Sequence, residues 1–348
     1  MLPGSLHALK AAIPRSLLER SEVRAWVTFA RSLALVCIST LLLIAWNRAP
    51  IQRELGALGW PVWVLGWLGC GVCWAGLFVL GHECGHGSFS KHQRINSIVG
   101  ALCLLPSFTG FHTWRTSHAL HHSQVANRGL DPDWTQEFLT REELNGVSLT
   151  RKLRWALGLR TPLGILLGFW VGIAKRRLDC YFPASTVPSG TRRKLQFEAF
   201  LSLAHLALLL ALGRVFGFTT LLQVHLIPML VSAASGALLT LLHHSRAGAK
   251  VWERDNWSRL QGILEATYDV RLPRVLEWVW LNVNLHVPHH INASIPWYHL
   301  PQASAALRQA YPGLAPSEPF SLQLLWTLWK NPTLHRDGQA LVVGVHGG

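Results

Sequence analysis

Charge is scarce in this sequence. Only 14% of its 348 residues are Asp, Glu, Lys or Arg, half are hydrophobic, and Trp occurs 17 times. Leu55–Gly81 contains no charged residue, and Ala199–Ser245 contains only Arg214. A chain of this length could hold two or three soluble domains. Uncharged runs this long instead mark membrane spans, which excludes an ordinary soluble protein. Cysteine is sparse too. There are six, and Cys37, Cys70, Cys73 and Cys103 lie in apolar runs, where they read as small buried hydrophobes rather than a disulfide framework. Cys70-Gly-Val-Cys73 has redox-motif spacing, but its place in mid-span favours the same reading. The N-terminus lacks the ordered basic, apolar and small-residue segments of a cleaved signal peptide. Residues 1–31 are therefore expected to be a cytoplasmic lead-in. No internal repeat or low-complexity tract is apparent.

What is present predicts an all-α integral membrane protein, a single domain over residues 1–348, with four transmembrane helices and a cytoplasmic helical cap. The spans are expected at about 28–47, 58–81, 196–213 and 218–242, with Gly213–Gly217 as the turn of a closing hairpin. The formal charge of +14 is concentrated beside the spans, as in Arg20, Arg24 and Arg31, and again in Arg192-Arg193-Lys194. Contact with anionic headgroups accounts for that placement, and no soluble module for nucleic acid is visible. Basic residues are dense before the first span and sparse in the two opposite turns, which predicts a cytoplasmic N-terminus. Residues 95–114 carry no formal charge and are long enough to cross, but Pro106 and Gly110 break them. A re-entrant or interfacial hairpin is expected there. Residues 161–174 read as interfacial.

If that hairpin does not cross, histidines gather on one face. "GHECGH" places His82 and His86 one helical turn apart, "SHALHH" supplies His118, His121 and His122, and "HVPHH" supplies His286, His289 and His290. In each H-x-x-H-H the three positions i, i+3 and i+4 share one helix face. His243 or His244 adds a ninth where the fourth span ends. His7, His92, His205, His225, His335 and His346 read as solitary interfacial or hydrogen-bonded residues. Eight or nine converging imidazoles would repel one another when protonated and resist desolvation, so they call for a bound cation.

His82-Glu83-x-x-His86 also matches the H-E-x-x-H of zinc proteases, with Glu as general base. A catalytic zinc takes three protein ligands and water, which would leave about five histidines without a role. The ligand count instead suits two six-coordinate ions with open positions, although nitrogen ligands alone do not choose among Fe, Zn, Cu and Ni.

The order H-x-x-x-H, H-x-x-H-H, H-x-x-H-H, with an apolar hairpin between the second and third boxes, resembles the integral-membrane fatty acid desaturases over about His82–Ala303. "HECGHGSF" and "HVPHHINASIPWYHL" are similar to the acyl-lipid Δ12 (ω-6) branch, and His286 at the head of the third box stands apart from front-end desaturases. The second box departs from commoner forms in its Ala119-Leu120, with ligand spacing intact. The resemblance implies a non-haem diiron centre (Fe2+/Fe3+) that uses O2 to introduce a cis double bond into a membrane-lipid acyl chain. It implies His82, His86, His118, His121, His122, His286, His289 and His290 as metal ligands, with His244 favoured over His243 for the ninth. His243 would then face headgroups or a neighbouring helix. No segment resembles a fused cytochrome b5 domain, so a separate electron donor of ferredoxin or cytochrome b5 type is expected.

Side chains alone cannot remove hydrogen from an unactivated methylene, so the protein's part is to bind, orient and exclude competing reactions. Glu83 is then no general base. Asp131 and Asp133 are candidates to accept hydrogen bonds from ligand imidazoles, or else cap a solvated loop. Trp114, Trp134 and Trp297 line an acyl tunnel or anchor at the interface. Two other readings compete. A related hydroxylase or carotenoid ketolase would leave oxygen in the product. A metal transporter would need ionisable groups within the spans, which hold only His205 and His225.

Overall fold

The computed structural model describes residues 3–132, 139–153, 189–315, 317–330 and 333–344. Asp133, Trp134 and the 161–174 segment lie outside the described residues. Four helices are long and apolar enough to cross a membrane: Glu22–Arg48, Gly56–His86, Ser189–Phe216 and Phe218–His244. Each covers the apolar run expected from sequence and continues beyond it. The excess is functional in the second helix, whose last turn carries His82 and His86 past the end of the uncharged run. Gly87 stops it, in the left-handed region at φ 71°, with its N–H bonded to the Cys84 carbonyl. The first span starts at Ser21, whose hydroxyl accepts from the Arg24 N–H, with Glu22 in the first turn.

The second span packs between the first and the fourth. A glycine lets the second and fourth approach: a Cβ at Gly71 would lie 2.4 Å from Val231 Cβ. Larger side chains are pointed outward, as Leu41, Leu65, Phe200 and Leu208 are all at least half exposed on the bundle surface. In a lipid environment that exposure is the expected state.

Between the second and third spans the chain forms two helical segments, Gln93–Ser107 and Phe111–Gln124, bent by 98° at the break. His86 at the start of this excursion and His118 at its end have ring centroids 5.0 Å apart. The chain returns to the place it left, through a bent pair of helices broken in the Pro106–Gly110 region.

The fold is mostly helical, as expected, and the cap adds a few short strands to it. Lys250–Trp252, Ala340–Val343 and Leu334–Asp337 make a three-stranded antiparallel sheet, with Ala340–Val343 in the middle. Val251, Leu334 and Leu341 bury their side chains in it. Val270–Arg271 pairs in parallel with Glu318–Pro319. Strands of two to four residues are too short to display a period-2 pattern, so composition hides them.

Candidate metal centre

The histidine boxes meet where the second and fourth spans end and the cap begins. His82, His86, His118, His122 and His289 each offer a nitrogen within 4.8 Å of all the others, and His121, His244, His286 and His290 form a second such group. Each H-x-x-H-H is therefore divided. From the second box, His118 and His122 enter the five-membered group and His121 the four-membered one. From the third box the split is reversed, His289 going to the five and His286 with His290 to the four. Residues four apart stack along a helix, whereas i+3 lies to one side, so each box can serve two centres at once. That division corrects the single-face expectation: the three positions span an arc wide enough to face two points.

Hydrogen bonds set the tautomers. A carbonyl oxygen can only accept, so His244 Nδ1–H donates to the Ala266 carbonyl at 2.8 Å. His121 Nδ1–H donates to the buried Asp131 carboxylate at 2.8 Å, whose other oxygen accepts from the Ala126 N–H. His82 Nδ1–H donates to Glu83 at 3.0 Å. The Nε2 atoms of all three are then lone-pair acceptors. Yet His121 Nε2 lies 3.3 Å from His244 Nε2, and His244 Nε2 lies 3.0 Å from His286 Nε2. Two lone pairs aimed at each other need a cation between them. In the other group, His86 Nε2 and His289 Nε2 are buried with no hydrogen-bond partner. The donor set fits a bound metal at both places.

Electrostatics agree. Burial, and then the neighbouring imidazoles, hold His122, His286, His289 and His290 well below the ordinary histidine value. They are neutral near pH 7, the form that binds metals.

Several residues take up positions that sequence did not reveal. His243 is buried, not facing headgroups, and its ring stacks on His286 at 4.0 Å while lying outside both groups. The helix end is held there by buried Arg246, which donates to the Leu242 and Asp269 carbonyls. Asp269 accepts from the Val287 N–H at 2.8 Å and from Arg308 at 2.8 Å, which fixes the start of the third box. Trp114 stacks on His118 at 4.5 Å, and Trp297 is buried, stacked on Phe89. His205 and His225 are not solitary: their rings lie 5.5 Å apart inside the bundle.

A helical membrane bundle whose inner ends converge on two histidine groups defines a class of membrane metalloproteins. The family is named by comparison. The model for fatty acid desaturases matches residues 58–318, and the chain belongs to that family. It is an oxidoreductase. The chain is 28% identical over 326 residues to an sn-1 oleoyl-lipid 12-desaturase of Picosynechococcus sp., covering 92% of this chain and 87% of that one. It is 29% identical over 309 residues to an sn-1 acyl-lipid omega-3 desaturase (ferredoxin) of Synechocystis sp., covering 88% and 81%. It is 32% identical over 325 residues to a chloroplastic omega-3 fatty acid desaturase of Glycine max, covering 89% and 66%.

Proposed function

We propose that the chain is an O2-dependent acyl-lipid desaturase of the Δ12 (ω-6) type with two irons. One would be held by His82, His86, His118, His122 and His289, the other by His121, His244, His286 and His290. The observation that carries the reading is the apposition of His121 and His244 lone pairs at 3.3 Å in a buried site. Bound iron with O2 supplies an oxidant able to take hydrogen from a methylene. The remaining work is done by the chain. Asp131 holds the His121 proton at Nδ1, Glu83 does the same for His82, and the Ala266 carbonyl for His244. Each fixes a ring so that Nε2 is presented to the centre. The Δ12 assignment is supported by relatives named as oleoyl-lipid 12-desaturases, and lipid-bound substrate by those same names. Relatives named with ferredoxin support a separate donor of that type. Basic residues Arg20, Arg24 and Arg31 support a cytoplasmic placement of both termini and the boxes.

Relatives named as omega-3 desaturases, at similar identity, favour ω-3 insertion as the second reading. Expression in a host without polyunsaturated lipids, followed by mass spectrometric location of new double bonds, decides between them. A Δ12 double bond is expected, an ω-3 bond from a supplied dienoic chain would select the second reading, and an oxygenated product would indicate a hydroxylase or ketolase. Metal analysis of purified protein should find about two irons per chain. Stoichiometric zinc with activity kept in the absence of iron would refute the diiron assignment, and transport without lipid modification would point to a carrier.

A further inference from the structure

The second-box helix, Phe111–Gln124, begins at the break behind Gly110, which has no side chain to satisfy the free N–H groups of a first turn. The third-box helix begins behind Leu285 and likewise has no side-chain cap of its own. Each start is nevertheless met by a buried carboxylate from elsewhere in the chain. For the third box it is Asp269, as described above. For the second it is Glu198, which projects from the Ser189–Phe216 span and is 5% exposed. One of its oxygens accepts from the His112 backbone N–H and from His112 Nδ1, the ring contact being 2.9 Å. The other accepts from the Thr113 hydroxyl at 3.2 Å. The approach requires glycine: a Cβ at Gly110 would lie 2.6 Å from Glu198 Oε2.

A carboxylate in a span helix is costly unless it is compensated. Here it faces the positive end of a helix dipole, and the His112 N–H and Thr113 hydroxyl of the first turn donate to it. We propose that Glu198 is a positioning residue for the second histidine box. It touches no metal donor, since at 1.5 Å per residue His118 lies about 9 Å further along the helix from His112. Binding at residues 112 and 113 together fixes rotation as well as height. Rotation matters because this one helix sends His118 and His122 to the five-histidine group and His121 to the other. A small turn of the helix would spoil both centres at once. The third span thereby governs a metal site to which it contributes no donor.

This inference rests on the proposed metal binding, and the experiment separates the two. Full-length protein and its Glu198→Ala, Glu198→Gln and Gly110→Ala variants are purified, and loss of iron to a chelator is timed on the folded fraction beside thermal midpoint, kcat and KM. Glu198→Ala should lose iron from both groups about tenfold or more faster, in line with outer-shell substitutions. Its kcat should fall with KM for lipid unchanged. Gly110→Ala, which displaces the carboxylate, should follow it, and Glu198→Gln, which keeps an acceptor for the His112 N–H, should recover most of the wild-type rate. A lowered thermal midpoint with unchanged iron loss and kcat would show that Glu198 only stabilises the fold, and would overturn the proposal alone. If Glu198→Ala does not fold, Glu198→Asp, one methylene shorter, is read by the same criterion. Wild-type protein that binds no metal would overturn the metal reading and this proposal with it.

Discussion

His86→Ala should abolish desaturation, whereas Glu83→Gln should keep a substantial part of it. The two residues belong to one H-E-x-x-H segment, so the contrast tests what that segment is for. His86 presents a buried Nε2 to the five-histidine group, with no hydrogen-bond partner to divert it. Alanine removes a donor and leaves a void among four other imidazoles, so activity should fall below detection and iron content should drop. Glu83 is 1% exposed and makes two contacts, from His82 Nδ1–H at 3.0 Å and from the Ser88 hydroxyl at 2.7 Å. Glutamine keeps a carbonyl oxygen for His82. Its amide can donate to Ser88, whose hydroxyl already reaches the Glu83 backbone carbonyl at 3.0 Å. The geometry of His82 is therefore retained, and a loss of about tenfold is expected, the low end for a substitution behind the ligand. Iron quantification beside a fatty acid assay checks both. Glu83→Gln as inactive as His86→Ala, with normal iron, would mean that Glu83 moves a proton in the reaction.

The break in residues 95–114 and the box spacing were legible in sequence because both are local. Pro106 and Gly110 interrupt an apolar run too awkwardly for a straight span, and the 98° bend falls in the stretch they bracket, between Ser107 and Phe111. His82 and His86 are four apart, and four-apart side chains stack on any helix. The division of the boxes was not legible. Whether His121 joins His118 or His244 depends on where the fourth span ends relative to the second-box helix, a distance across 123 residues of chain. The same holds for the supporting carboxylates. Asp131 follows its box closely and could be nominated, whereas Asp269 and Glu198 lie far from the helices they cap, and nothing in their surroundings in sequence marks them. The short cap strands escaped for a different reason: at two to four residues none shows a pattern of its own, and Lys250–Trp252 and Val270–Arg271 pair with partners far along the chain.

His244→Ala should cut iron from about two to about one per chain and remove nearly all activity, on the proposed ligation. The four-histidine group has no donor to spare: with His244 gone, His121, His286 and His290 remain. The loss also strands the Ala266 carbonyl, which accepts the His244 Nδ1–H in a buried setting. His243 is the internal control, one residue away and about 100° around the helix. Sequence alone placed it toward headgroups or a neighbouring helix, which made His243→Ala a silent change. Its burial and its 4.0 Å stack on His286 alter that expectation. Truncation should open a cavity beside a proposed ligand and cost about 2–4 kcal/mol of stability, a large-to-small core change, with iron still near two per chain. His243→Phe separates ring from nitrogen. Its Nε2 has no partner in the structure, so a phenyl ring that restores the stack should restore stability and activity without it. Iron lost in both His243 variants and kept in His244→Ala would show that the helix register at the end of the fourth span is displaced by one residue. Iron kept near two in His244→Ala would show that the second centre is complete with three histidines.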